Sequence, residues 1–308
     1  PAPNNPELIK ERREIALMAQ DLKCFLHMVR REVHSRMAGR IHGAQMGGCA
    51  GYGCGDVSLA LECMLQQNRR LGGEVWVLYL DLAQWFPSIH RGVSAFADLV
   101  HGLPPCVIEI VALIYGKHGD YDAAVKCEYD SAIGLLDKFP NWMGRLMGCV
   151  LSPDEAKLVL NTVVVAIEQV ARGYRCFGSI DQSGCWRRVL QLLYADDWTA
   201  VCGALQETKR AWACWRVWEP ISGSRVGVKL YKKTVVTGAR WVRGRWVTPP
   251  DPRLETGRGV RVPMLPMDEA YKQLGVMRRA DGQTVTAIAA IRAGFTPALR
   301  RLSRLRKP

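Results

Sequence analysis

No stretch of about 18 consecutive apolar residues occurs in the 308 residues, which excludes a transmembrane helix of the usual length. No C-x-x-C spacing is present either, and the 11 cysteines are an odd number. Both absences argue against a disulfide scaffold or a zinc ribbon and for a reducing, intracellular compartment. Cys49, Cys54 and His42 lie near one another in sequence, but their spacing fits no usual ligand pattern, and they read as small buried or loop thiols. The glycines of residues 46–55 match neither the dinucleotide fingerprint nor a P-loop, since no Lys-Ser/Thr pair follows them. No signal peptide opens the chain, so secretion is not expected. The first residue is Pro1, as expected of an excerpt from a longer protein.

Acid is scarce relative to base. There are 29 Asp and Glu against 42 Lys and Arg, a net charge of +13. After Gly282 no acidic residue occurs at all, while Arg292, Arg300, Arg301, Arg304, Arg306 and Lys307 do. With 48% apolar and 23% charged residues the chain is neither collagen-like nor an acidic disordered segment. Its length allows one large domain or two modest ones. A basic excess on such a background points to a polyanionic partner, nucleic acid ahead of an anionic membrane.

Periodicity organises the rest. Residues 7–42 read as a basic helix, and a helix over about 58–70 is expected after an N-cap at Asp56 or Ser58. Val75-Trp76-Val77-Leu78-Tyr79-Leu80 is short, wholly apolar and rich in β-branched and aromatic residues, a buried strand that delivers Asp81 at its end. Helices follow at about 92–101 and 105–116, then a strand-like stretch at 122–133. A long helix starts at Ser152-Pro153, with Asp154 and Glu155 in its first turn, and runs to about Ala171. Strands at 189–194 and 198–201 are joined across Ala195-Asp196-Asp197, a hairpin with acid at its tip. A helix at about 205–224, an extended segment at Val226–Thr237 and a Pro-, Gly- and Arg-rich loop over 238–266 complete the reading.

Asp81 and the Asp196-Asp197 pair share one property: each places carboxylate at the end of an apolar strand, where an uncompensated charge is costly. Divalent metal relieves repulsion between gathered carboxylates. Mg²⁺ suits them because it takes hard oxygen ligands from one or two carboxylates and fills its shell with phosphate and water. Asp-Asp in a turn is also common for purely conformational reasons, so neither site is decisive alone.

Together, in this order, they resemble the reverse transcriptase family of non-LTR retrotransposons and group II introns, over nearly the whole chain. Asp81-Leu82-Ala83-Gln84-Trp85-Phe86-Pro87-Ser88-Ile89-His90 is similar to the family's first catalytic motif and Tyr194-Ala195-Asp196-Asp197 to its catalytic hairpin. Gly144 through Pro153 resembles the nucleotide-support motif, Gly227 through Thr234 the palm segment carrying a lysine, and Tyr271 through Val276 the primer-grip hairpin. Arg13 through Leu17 with Lys23 resembles the basic fingers segment, and Gln45 through Asp56 the loop that follows it.

The resemblance implies an α+β right-hand polymerase with an antiparallel palm sheet backed by helices. Fingers would occupy 1–74; the palm would span 75–284, with fingers insertions at about 92–143 and the primer-grip hairpin near 271–276; a thumb would only begin over 285–308. It implies RNA-directed DNA polymerase activity with two Mg²⁺ (Mn²⁺ as a substitute) held by Asp81, Asp196, Asp197 and the backbone carbonyl of Leu82. Lys233 would assist the leaving pyrophosphate. Arg13, Lys23, Phe86, Met147 and Gly148 would bind the nucleotide, with the Phe86 ring excluding a 2′-hydroxyl, and Leu274 and Gly275 would grip the primer. The implied partners are an RNA template, a DNA primer or duplex and dNTPs, with no membrane; a eukaryotic retroelement origin would place the protein in the nucleus. Neither oligomeric state nor template preference is implied.

Four departures from the family pattern stand in the sequence: Met147 where Gln is usual, Glu14 where Pro is usual, Pro87 where Asp is common and Tyr231 near a position often held by Asn. They keep open the alternative of a lapsed, maturase-like nucleic-acid scaffold. The three retained acids oppose it. An RNA-directed RNA polymerase is a third reading, opposed by Phe86 and Ala195.

Overall fold

A computed structural model describes residues 18–115, 126–127, 130–131, 134–135, 139–140, 144–146, 148–177, 186–228 and 233–283. Arg13, Met147 and the segments 1–17 and 284–308 lie outside these residues, and with them any thumb. The chain is a mixed α/β protein with an antiparallel sheet, and it divides into two units. One comprises residues 1–42, 83–162 and 220–225, the other 43–82, 163–219 and 226–308.

The first unit opens with helix α1 (Gln20–Met37), which buries Leu26, Val29, Val33 and Met37 along one stripe. Beyond the second unit's helix α2 (Cys54–Leu71) and strand β1 (Glu74–Leu80), the first unit resumes. It adds the single turn α3 (Trp85–Ser88) and helices α4 (Arg91–Val100) and α5 (Pro105–Tyr115). Two small ladders follow, β2 (Lys126–Cys127) with β5 (Phe139–Pro140), and β3 (Asp130–Ser131) with β4 (Gly134–Leu135). Helix α6 (Ser152–Val170) begins in this unit. Its buried Asp154 accepts from Arg30 Nε at 2.6 Å and pairs with His34 Nε2 at 2.9 Å, tying α6 to α1. Arg145 lies between the buried carboxylate of Glu155, the Ser94 hydroxyl (2.7 Å) and the Tyr115 ring, whose centroid is 4.6 Å away.

The second unit is built on a sheet of five strands in a path, with a sixth attached. After the ribbon β6 (Tyr174–Phe177) and β7 (Trp186–Val189) come β8 (Gln191–Tyr194), β9 (Asp197–Cys202), helix α7 (Leu205–Ser222) and β10 (Val235–Val242). Then follow β11 (Arg245–Val247) and β12 (Met264–Leu265), and finally the hairpin of β13 (Tyr271–Gln273) and β14 (Val276–Arg278). The sheet order is β11-β10-β1-β9-β8, with β12 parallel to β10. β1 is central and covered on both faces, which is why its sequence is apolar without interruption. Val75, Val77 and Tyr79 join Val57, Leu61 and Leu65 of α2 in one cluster with Val201, Val235 and Tyr271. On β9, Trp198 points to the opposite face and meets Trp215 of α7 edge-on at 5.2 Å, and Trp215 in turn meets Trp218. Gln191 fixes this layer: its amide donates to Val164 O and Glu168, and its oxygen accepts from the Trp198 indole at 2.9 Å.

Several expectations are corrected. Within the described residues the N-terminal helix spans Gln20–Met37, ending short of 42, while residues 7–17 of the expected helix lie outside them. Helix α2 starts at Cys54, four residues early, because Asp56 is inside it: its carboxylate reaches back to Gly53 N–H at 2.7 Å, so it serves the first turn without being the N-cap. The expected strand 189–194 is interrupted at Leu190, with β7 in a separate ribbon and β8 in the sheet. Over 122–133 only two-residue ladders occur among the described residues. At 226–237 Val226 makes only an isolated bridge and the strand begins at Val235. The supposed loop 238–266 carries the end of β10, all of β11 and β12. Residues 238–240 extend β10 along β1, and β11 and β12 pair in turn with β10.

Candidate active site

The apolar strand β1 ends at Leu80, and its register with β9 sets Leu80 opposite Trp198 and Tyr79 opposite Thr199. One further step along both strands brings Asp81 opposite Asp197. By the two-residue alternation of strands, both lie on the face that also carries Tyr79 and Thr199. Asp197 is the first residue of β9, paired with Tyr194, so the turn consists of Ala195 and Asp196 alone. This corrects the expectation that Asp197 sits in the turn. Ala195 adopts φ 56, the left-handed region that a non-glycine residue enters only when its surroundings hold it there.

Those surroundings include the segment 44–47. Ala44 O accepts from Leu193 N–H at 2.9 Å and Met46 N–H donates to Leu193 O at 3.0 Å, so this segment pairs in parallel with β8 through Gln45. Gly47 then passes directly over the turn. A Cβ there would fall on the Ala195 amide nitrogen and within 2.9 Å of the Tyr194 carbonyl carbon. The Gly-rich run was visible in sequence, but nothing there told which of its glycines faces another backbone.

The electrostatics follow from the strand pairing. Burial, followed by the charges of Asp196 and then Asp81, pushes the Asp197 carboxyl up to about 6, and Lys233 acts in the opposite direction. Lys233 Nζ lies 2.7 Å from Asp81 Oδ2, with both side chains partly exposed. The lysine is held by its backbone: Tyr271 Oη donates to Lys233 O at 2.7 Å, and the Tyr271 ring stacks on Tyr79 at 4.3 Å. Thr234 Oγ1 accepts from Asp81 N–H at 3.1 Å, and Gly227 N–H donates to Asp81 O at 2.9 Å. Tyr271 and Thr234 belong to the motif segments 271–276 and 227–234 but were not named there as site residues; the structure places them against Lys233 and Asp81. Leu82 pairs with Val226 in an isolated antiparallel bridge. The flanking bonds are made by Asp81 O and Ala83 N, which leaves Leu82's own carbonyl outside that pairing.

The three acids interact, yet no group of three His, Cys, Asp or Glu side chains arranged to hold a metal is found among the described residues. In place of a cage of three carboxylates, the Asp81 carboxylate is paired with an ammonium, and the Asp197 carboxyl is pushed up to about 6 by burial first and by its acidic neighbours second.

The remaining predicted residues divide between the units. Leu274 (φ 46) and Gly275 (φ 84) form the turn of the β13–β14 hairpin, and Gln273 from that hairpin donates to Thr199 Oγ1 of β9 at 2.6 Å. In the other unit Phe86 is half-buried on α3, and its carbonyl accepts from Arg145 N–H at 2.7 Å. Gly144 packs on the same turn, where a Cβ would come within 2.5 Å of Pro87 Cα. Residues 86–87 and 144–145 are thus in direct contact. Gly148 is exposed at φ 96, and Lys23 lies half-buried in the first turn of α1.

No family model matches the chain, and neither does any curated protein sequence. Among solved structures it is similar to the telomerase of Candida tropicalis truncated from its C-terminal domain (TM-score 0.45, 12% identity, 73% of this chain and 45% of that one). It is also similar to Candida albicans telomerase in complex with a TWJ fragment of telomeric RNA (0.47, 13%, 82% and 39%). A third likeness is to a structure titled "RdRp complex" (0.46, 14%, 76% and 20%). The chain spans less than half the length of each.

No helix among the described residues is long and apolar enough to cross a membrane.

Proposed function

We propose that the chain is the core of an RNA-directed DNA polymerase, transferring a deoxynucleotide to a primer 3′-hydroxyl. One observation carries the proposal: the β1–β9 register, which brings Asp81 and Asp197 to adjacent strand ends on one face, beside Asp196. In their chemistry the donors suit magnesium, being hard carboxylate oxygens whose charges repel one another, although the described residues are not arranged as a three-carboxylate site. Bound there, a pair of ions would activate the attacking hydroxyl and stabilise the leaving oxygen.

The chain's own groups have separate tasks. Asp81, Asp196 and Asp197 supply the negative charge that concentrates cations at the strand ends. Lys233, positioned through Tyr271, neutralises Asp81 in the free protein; once that carboxylate has another cation, the ammonium becomes available to donate a proton to a leaving phosphate. Phe86 provides bulk against a 2′-hydroxyl, while Gly148, Met147, Arg13 and Lys23 serve the nucleotide. Leu274 and Gly275 serve the primer, and the surplus of base serves the template–primer phosphates.

The lapsed-scaffold reading is favoured by a specific observation, that the Asp81 carboxylate is already paired with the Lys233 ammonium. Primer extension decides between the two. The chain with a primed RNA template, Mg²⁺ or Mn²⁺ and dNTPs should extend the primer, and Asp196→Asn should not. Tight template binding with no extension by the parent chain would establish the scaffold and refute the polymerase.

A further inference from the structure

The β13–β14 hairpin meets its own unit with polar side chains. Tyr271 and Gln273 alternate with Lys272 along β13, and Arg278 stands directly across the ribbon from Tyr271. These three are buried while Lys272 is exposed, so one face of the ribbon is turned inward. A two-stranded ribbon is marginal by itself and takes its position from what it packs against. Here each inward side chain has its own anchor. Tyr271 Oη donates to Lys233 O at 2.7 Å, and its ring stacks on Tyr79 of β1. Gln273 Nε2 donates to Thr199 Oγ1 of β9 at 2.6 Å. Arg278 Nη2 donates to Ser58 O at 2.7 Å and Ser58 Oγ at 2.8 Å on α2, and its Nε lies 3.5 Å from Glu62 Oε2.

Arg278 also begins a longer attachment. Ser58, Glu62, Gln66 and Arg69 recur at helical spacing and form one stripe of α2. Gln66 Nε2 donates to Gly282 O at 2.6 Å and Arg69 Nη1 to Asp281 O at 3.2 Å. The chain from Arg278 to Gly282 therefore runs along this stripe.

Stability alone does not account for the arginine. It is 4% exposed, and its Nη1 makes no hydrogen bond among the described residues. Burial pulls its pKa below that of a free guanidinium. An apolar side chain of similar volume is often as stable in such a place, or more so. A guanidinium adds direction: its planar fork fixes the register of the ribbon on α2, where an apolar side chain would tolerate sliding.

We infer that Arg278 is a positioning residue for Lys233: by fixing the ribbon on α2 it sets Tyr271 where the phenol reaches the Lys233 carbonyl and the ammonium reaches Asp81. The route is short, from Arg278 to Tyr271 across the ribbon and from Tyr271 to Lys233 through one hydrogen bond, and it lies within one unit. The consequence for a leaving phosphate rests on the polymerase reading; the placement of the ammonium does not.

Amine-reactive labelling of the full chain, read lysine by lysine with peptide mass spectrometry, tests the placement without turnover. Lys272, on the outer face of the same ribbon, is the internal reference. Arg278→Met should raise the labelling rate of Lys233 relative to Lys272 about 1.5- to 5-fold, the worth of a partly exposed ion pair. Tyr271→Phe should give a similar rise, and the double variant no more than Tyr271→Phe alone, because the two act in series. Glu62→Gln, a milder change, should shift the ratio in the same direction and serves as the test if Arg278→Met does not fold. A parental ratio in the folded variant, an equal rise at Lys272, or additive effects of the two substitutions would each overturn the inference. In primer extension Arg278→Met should lower kcat and kcat/KM together, by up to about 10²-fold. Parental kcat there would overturn the catalytic consequence, whereas no extension by the parent chain would sink the polymerase reading and leave the labelling result standing.

Discussion

Gly47→Ala isolates one contact on which the proposed centre depends. A methyl group at this position would meet the Ala195 amide nitrogen and would lie 2.9 Å from Tyr194 C and 3.1 Å from Ala195 Cα. All three are backbone atoms, and real Cβ contacts closer than 3.0 Å are essentially never seen. No rotamer change relieves them, so either the 44–47 segment or the turn must move by about 1 Å. Moving the segment strains the two bonds to Leu193. Overpacking of this kind costs about 1–3 kcal/mol, and in a protein of this size each kcal/mol lowers Tm by about 2–4 °C. Moving the turn shifts Asp196 and Asp197 relative to Asp81, and a displacement of about 1 Å at a reacting centre costs on the order of 10²-fold in rate. Thermal melting and single-turnover primer extension read the two effects separately. Gly48→Ala is no substitute control, because Gly48 has φ 67; Gly43→Ala is, since a Cβ there meets nothing within 4 Å. A Gly47→Ala protein that melts and extends like the parent would refute the claim that the segment sets the turn.

Three other perturbations have defined signs. Asp98 is fully buried, and burial, with the charge of Glu155 adding to it against Arg145, pushes its carboxyl from 3.8 up to about 8. The native chain therefore keeps a proton that the unfolded chain releases, so stability falls as pH rises across that window, by up to about 1.4 kcal/mol per unit. Denaturant midpoints at several pH values should slope less for Asp98→Asn, and an unchanged slope would exclude Asp98 as the titrating group. Glu219, 1% exposed, accepts from Val226 N–H at 2.9 Å and Gly257 N–H at 2.6 Å. Glu219→Ala strands two amides at about 1–3 kcal/mol each, whereas Glu219→Gln should lose clearly less in urea titrations. Phe86→Ala should raise incorporation of ribonucleotides relative to deoxynucleotides in a competition assay; unchanged discrimination would remove Phe86 from the nucleotide site.

Much of the proposed centre was legible from residue order alone because its signals are local. Strand β1 announced itself by six apolar residues in a row, a pattern produced by burial on both faces, and it ended where the charge began. The turn at Ala195-Asp196 lay between two short apolar strands, and the 271–278 hairpin carried Leu274-Gly275 at its bend. Helices α4, α5 and α6 began or ended within a residue or two of the expected positions, at Pro105 and Ser152-Pro153 among others. The failures were of another kind. The 238–266 region looked like a loop because Arg, Gly and Pro dominate it; its first residues pair with β1, more than 150 residues earlier in the chain, and β11 and β12 pair in turn with β10.

By itself, the sequence determined that three carboxylates stand at strand ends in a basic chain, since periodicity and composition are properties of neighbours along the chain. Tertiary structure alone decided that Asp81 faces Asp197, that Lys233 takes Asp81 as its partner, and that Gly47 rather than another glycine of its run meets the turn. Those outcomes depend on strand order and register across large sequence separations. A one-residue slip in β9 would turn Asp197 to the opposite face without altering any local preference.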